Sequence, residues 1–173
     1  NNFSLFGPPS KKYSLSTNQV TLNIQPLPEN EKGRESAIVG NWNIRSSITS
    51  TDVKQDNAVT YRVIITGSGN LQSVDVSSMN FPNELEVFEP ETNEKENPLR
   101  DKIGGKKVFE WVLIPRFAGD IFIPRMDFTY FDPVQERWVT KSTPRYKLKV
   151  SPNEKAAAST SGLSKEEIAL VGE

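Results

Sequence analysis

Residues 128–144 read FTYFDPVQERWVTKSTP. Three aromatics in four residues run into Asp132-Pro133, a strand-like run follows, and Pro144 cuts it. Asp132-Pro133 is strong turn chemistry. An aspartate accepts hydrogen bonds from the backbone two residues on, and proline presets φ at the second turn position. The stretch therefore predicts a hairpin, with FTYF closing one strand and ERWVTK opening the next. Pro144 lacks a ladder donor, so it marks an edge, a bulge or the point where the last strand changes neighbours.

The same period of two recurs outward from this hairpin. NWNIRSSIT (41–49) places Trp42, Ile44 and Ile48 on one face, and VTYRVIITG (59–67) places Val59, Tyr61, Val63 and Ile65 on one face. LQSVDV (71–76) alternates with Leu71 out of phase, and ELEVFEP (84–90) turns Leu85 and Val87 inward. KKVFEWVLIP (106–115) ends at a proline, and DIFIPRMDFTYF (120–131) aligns Met126, Phe128 and Tyr130. RWVTKSTPRYKLKV (137–150) turns Tyr146, Leu148 and Val150 inward and Lys147 and Lys149 outward. Seven runs separated by turn residues, with no internal helix, predict an all-β, immunoglobulin-like antiparallel β-sandwich. A barrel is the alternative with the same strand content.

Composition bounds the chemistry. The chain has 173 residues, no Cys and no His, and 21 basic against 22 acidic residues for a net charge of −1. The charge balance offers no general attraction to nucleic acid or to an anionic membrane surface. No window approaches the roughly 18 apolar residues of a membrane span. Absent thiols and imidazoles remove thiolate nucleophiles, the usual general base and the commonest transition-metal ligand. The start lacks a Met and a signal-like pattern, so the chain reads as a piece of a longer protein.

The two ends depart from the sandwich pattern. YSLSTNQVTLNIQP (13–26) aligns with VTKSTPRYKLKVSP (139–152) at an offset of 126 residues, with Ser16/Ser142, Thr17/Thr143, Leu22/Leu148 and Pro26/Pro152 identical. Val20 and Ile24 fall on Tyr146 and Val150. The expected organisation is residues 1–32 as the last strand of a preceding similar domain plus linker, 33–152 as the sandwich, and 153–173 as a linker and short helical tail. In that tail LSKEEIALVGE (163–173) pairs Ser164 with Glu167 as a capping box over 165–171.

Several stretches invite a site. GSGN (67–70) lacks the Lys-Ser/Thr of a phosphate loop and lies between strands, so a tight turn or bulge is the favoured reading. Glu84 to Asp101 holds seven acids against two bases; a solvated mobile loop is favoured over calcium binding, because ordered ligand spacing is absent. Asp127, Asp132 and Glu136 cluster near the hairpin turn, where solvation is expected. Residues 137–149 carry Arg137, Lys141, Arg145, Lys147 and Lys149 with no acid. This is either the solvent face of an edge strand, where lysines block sheet pairing, or a candidate partner-binding edge for an acidic protein. Trp42, Trp111 and Trp138 would be the platform of a carbohydrate-binding sandwich, although alternation turns Trp42 inward.

ITGSGNLQSVDV, ELEVFEPE and KKVFEWVLIPRFAGDIFIPRMDFTYFDPVQERWVT resemble the BatD family of oxygen-tolerance proteins. Gly67, Gly69 and Asn70 match its glycine motif, and Pro90 its following strand. Phe109, Pro115, Arg116, Gly119 and Pro124 match its paired-proline stretch. Tyr130, Phe131, Asp132, Pro133 and Thr140 match its hairpin, with Trp138 where tyrosine is usual. The resemblance spans about residues 13–152. It implies a non-enzymatic module facing the periplasm of a Gram-negative envelope, in a parent anchored to the inner membrane by segments outside this chain. It implies action with von Willebrand A-type and tetratricopeptide-repeat proteins in oxygen or stress tolerance. It implies no catalytic residue, cofactor or metal, because the shared positions are turn glycines, prolines and core aromatics. The alternative function is binding of carbohydrate or a surface polymer.

Overall fold

A computed structural model describes residues 12–29, 38–77, 79–97 and 103–153. Ten strands form among these residues: β1 Gly40–Ile48, β2 Asp52–Lys54, β3 Val59–Gly69, β4 Leu85–Val87, β5 Glu91–Glu96, β6 Gly104–Pro115, β7 Gly119–Ile123, β8 Asp127–Asp132, β9 Arg137–Ser142 and β10 Tyr146–Ser151. They make a large antiparallel sheet in the order β1-β3-β6-β4, with β5 also on β6. A three-stranded sheet β2-β10-β7 and the hairpin β8-β9 complete the sandwich.

The first strand divides between the layers, as in an immunoglobulin-like fold. β1 pairs antiparallel with β3 over its whole length. The chain then turns at Ser50, whose Oγ donates to Asp52 O at 2.8 Å, and β2 joins β10 in parallel. β10 also pairs antiparallel with β7 and so occupies the middle of its sheet.

The core follows the alternation of the sequence. Trp42, Ile44, Val59, Tyr61, Val63, Ile65, Phe109, Trp111, Leu113, Met126, Phe128, Tyr130, Leu148 and Val150 are all buried. Each large apolar side chain so enclosed contributes about 1.5–3 kcal/mol relative to exposure. Aromatic rings knit the layers together: Tyr61 on β3 meets Trp111 on β6 and Tyr146 on β10 with ring centroids 5.8 Å apart in each pair.

Six of the seven predicted runs contain strands, and two of them each supply a pair. LQSVDV is the exception. Asn70 Oδ1 accepts from Gln72 N at 3.1 Å, and residues 71–73 wind into a 3-10 turn. The acidic stretch differs as well. Its described acidic residues are exposed, but residues 91–96 form β5 along the free edge of β6. β4, Phe88 and β5 follow that edge as one interrupted strand, with Phe88 N donating to Val112 O at 3.1 Å. Pro90, which has no donor, marks the break. Val87, expected inside, is partly exposed.

Residues 12–29 are assigned to no strand, and their side chains are exposed. Pro28 O accepts from Trp138 Nε1 at 3.1 Å. The predicted helix over 165–171, and the tail from residue 154 onward, lie outside the described residues.

Candidate functional site

The hairpin forms as the sequence predicts, but its acid is not solvated. Asp132 is fully buried. Its Oδ1 accepts from Val134 N at 2.9 Å and Gln135 N at 3.1 Å, and its Oδ2 accepts from Gln135 Nε2 at 2.7 Å. Burial opposes ionisation, but these bonds and the nearby Arg137 outweigh it and hold the carboxyl below its ordinary pKa. Asp127 instead accepts from Ser142 Oγ at 2.5 Å and lies 3.5 Å from Arg125. Among the described residues no three His, Cys, Asp or Glu side chains converge as metal ligands.

The five basic residues of 137–149 divide into two groups. Arg137 and Lys141 stand on β9. Arg137 Nε donates to Gln135 Oε1 at 2.9 Å, which ties it to the Asp132 turn. Lys141 is half-buried. Its Nζ donates to Trp42 O at 2.6 Å and lies 5.9 Å from the centre of the Tyr130 ring. It fastens the hairpin to β1, helped by the bond from Phe131 N to Ile38 O at 2.9 Å.

Arg145 precedes β10, and Lys147 and Lys149 lie on it. β10 pairs with β7 along Tyr146–Val150 but with β2 only at Lys149–Ser151, so the three bases share the open outer face of the sheet, and Lys149 alone is flanked by a strand on each side. That corrects the edge reading at Lys149, while Arg145 and Lys147 have β7 as their one strand neighbour and β9 pairs with β8 alone. The Arg145 guanidinium stacks 4.0 Å from the centre of the exposed Phe122 ring, and Lys147 Nζ lies 5.8 Å from the same ring. Lys147 also pairs with Asp120 at 2.7 Å. Lys149 stands opposite both Asp120 on β7 and Asp52 on β2. The face is therefore a mixed surface of three bases, two acids and one aromatic. Phe122, Asp120 and Asp52 were missed from the sequence because only the strand pairing brings them beside β10.

The motif residues have structural work. Gly69 and Gly40 face each other across β1 and β3, and a Cβ on Gly69 would lie 2.3 Å from Val39 O. Arg116 ties three segments at the opposite end: its Nη1 donates to Asp56 Oδ1 at 2.6 Å, its Nε to Glu86 Oε2 at 2.7 Å, and its backbone N to Glu84 O at 2.9 Å. These two carboxylates raise its pKa above the ordinary arginine value. Trp42 and Trp111 are in the core, and Trp138 packs edge-to-face on Phe131 with centroids 5.5 Å apart. The tryptophans therefore form no exposed aromatic platform.

Fold and surface together define a β-sandwich that presents a mixed charged and aromatic sheet face. The BatD family, described as the BatD DUF11 like domain, matches residues 46–150, and the chain belongs to that family. No significant match was found among curated proteins or among solved structures.

Proposed function

We propose that this chain is a non-enzymatic protein-interaction module of a BatD-family parent, and that the outer face of β7 and β10 is its binding surface. The observation that carries this reading is the cluster of Phe122, Arg145, Lys147 and Lys149 on one open sheet face. A partly exposed aromatic flanked by long cationic side chains suits docking to an acidic protein surface, with the ring supplying contact area and the charges supplying steering. By resemblance to its family, the module is assigned to the periplasm, in a parent held at the inner membrane. Its partners would be the von Willebrand A-type and tetratricopeptide-repeat proteins encoded with such parents, in a complex serving oxygen or stress tolerance.

The test is calorimetric titration of the chain against the soluble domains of those two partner classes. Lys147→Glu combined with Lys149→Glu should weaken binding about tenfold, or about 1.4 kcal/mol. Raising the salt concentration should weaken the wild-type complex in the same direction. Absence of binding to either class, or binding indifferent to the double reversal, overturns the proposal.

A further inference from the structure

We propose that Lys95 and Lys106, on the outer face of the large sheet, form a binding site for a phosphate monoester group. The site lies on a different sheet from the β7–β10 face and does not depend on the protein-binding reading given above.

Lys95 on β5 stands directly opposite Lys106 on β6, so the two share one face with their Cβ atoms about 4.5–5.5 Å apart. Both are exposed. Like charges in this arrangement destabilise a sheet. Among the described residues neither lysine joins an ion pair. The same two strands hold a second like-charge pair on the same face, Glu91 opposite Glu110. There β3 supplies Arg62, which stands opposite Glu110 with its Nε 2.8 Å from Oε1. In the lysine row β3 supplies Thr66 and β1 supplies Asn43, side chains that donate hydrogen bonds and bring no charge. The fold thus answers the acidic pair with a charge of its own and leaves the basic pair to be answered by a ligand. Lysines on edge strands block unwanted pairing. That accounts for Lys95 on β5, but Lys106 is flanked by strands on both sides.

There is room for a ligand at this point. Two open hollows meet at the pair, and both lysines line each of them. One, of about 360 Å³, is bounded by Gly67, Gly104, Gly105 and Asn97. The other, of about 350 Å³, adds Asn93 and the apolar side chains of Ile64 and Val108. Each is near the lower bound, about 300 Å³, of small-molecule sites. The glycines carry no side chain, so the first hollow stays open beside both ammonium groups. Two compact positive charges call for two negative ones. A phosphate monoester carries about −1.5 to −2 at neutral pH, and lysine serves such groups as a point charge. A carboxylate brings only one charge and suits the fork of an arginine better.

The experiment is an NMR titration of the 173-residue chain with glycerol phosphate, dimethyl phosphate or acetate, at matched ionic strength. Amides 93–97 and 104–107 should shift and saturate with glycerol phosphate. The singly charged dimethyl phosphate and acetate should need about tenfold higher concentrations. Lys95→Gln and Lys106→Gln should each weaken glycerol phosphate about tenfold, and Lys54→Gln on β2 should not. Glycerol phosphate should raise the thermal midpoint of the wild type and not that of the two variants. Without it the variants should melt no lower than the wild type, because the repulsion is gone. Vesicles of equimolar phosphatidylcholine and phosphatidic acid then distinguish the carrier. Retention lost in the double variant assigns the group to a lipid headgroup, and glycerol phosphate binding without retention assigns it to a soluble monoester. Acetate binding as tightly as glycerol phosphate overturns the proposal and marks a surface for acidic protein. Shifts that fail to saturate, or that persist in the lysine variants, overturn it as well.

Discussion

Asp132 shows what one residue contributes to this fold. Among the described residues it is the one fully buried charged side chain, and its carboxylate organises the turn that the hairpin needs. Its folded pKa lies below the ordinary value, so the unfolded chain takes up this proton more readily. The stability it contributes is present above the unfolded pKa, about 3.9, and is lost as pH falls through the lower, folded value. Asp132→Asn keeps an oxygen for the two backbone donors but cannot ionise. Its denaturation midpoint should therefore fall less steeply than that of the wild type as pH drops below about 4. A residual slope is expected from Asp75, whose pKa is also lowered, by bonds to Ser77. Urea titrations from neutral pH into this acid range read the difference, and parallel slopes would refute the assignment. The turn itself was legible in Asp-Pro. The burial was not, because it depends on Gln135, itself held by Arg137, bonding back to the carboxylate.

At the scale of elements, legibility followed apolar alternation. β1, β3, β8 and β10 carry it and were read directly. β5 carries none; Glu91–Glu96 becomes a strand because β6 offers it an open edge, which is tertiary context. LQSVDV alternates and yet turns, because Asn70 supplies a local partner to the backbone. The β1–β3 pairing rests on close backbone approach at its glycine end. Gly69 has φ +140°, and a Cβ there would lie 2.3 Å from Val39 O and 2.8 Å from Trp42 Cζ2. Gly119 has a comparable φ of +127° but open space around it. Both Gly→Ala changes carry backbone strain of about 1–3 kcal/mol, and Gly69→Ala adds a steric cost of about 1–3 kcal/mol. Gly69→Ala should therefore be clearly the more destabilising in denaturant titrations. Equal losses would mean that backbone conformation alone selects glycine at both sites.

The whole molecule is closed by its last strand. The basic run was assigned to an edge because nothing in the sequence places Asp52 beside Lys149; parallel pairing of β10 with β2 does so across almost the entire sandwich. Such non-local pairing must wait for loop closure, and all-β chains of this kind fold in milliseconds to seconds. It also makes β10 essential where its sequence echo is not. Leu148 is fully buried at the centre of the core, whereas Leu22, its counterpart at the other end of the repeat, is exposed. Leu148→Ala should cost about 2–5 kcal/mol, the range for a buried leucine replaced by a cavity. Leu22→Ala in the same 173-residue chain should stay within about 0.5 kcal/mol of the wild type, as for a surface change. The urea midpoints of the two variants decide the matter if their m values match, since a changed m would signal an altered denatured state instead. Similar losses would mean that residues 13–26 help hold this sandwich together. A large loss confined to Leu148→Ala fits a closing strand that stabilises the sheet it completes, with residues 13–26 adding nothing to that sheet's stability.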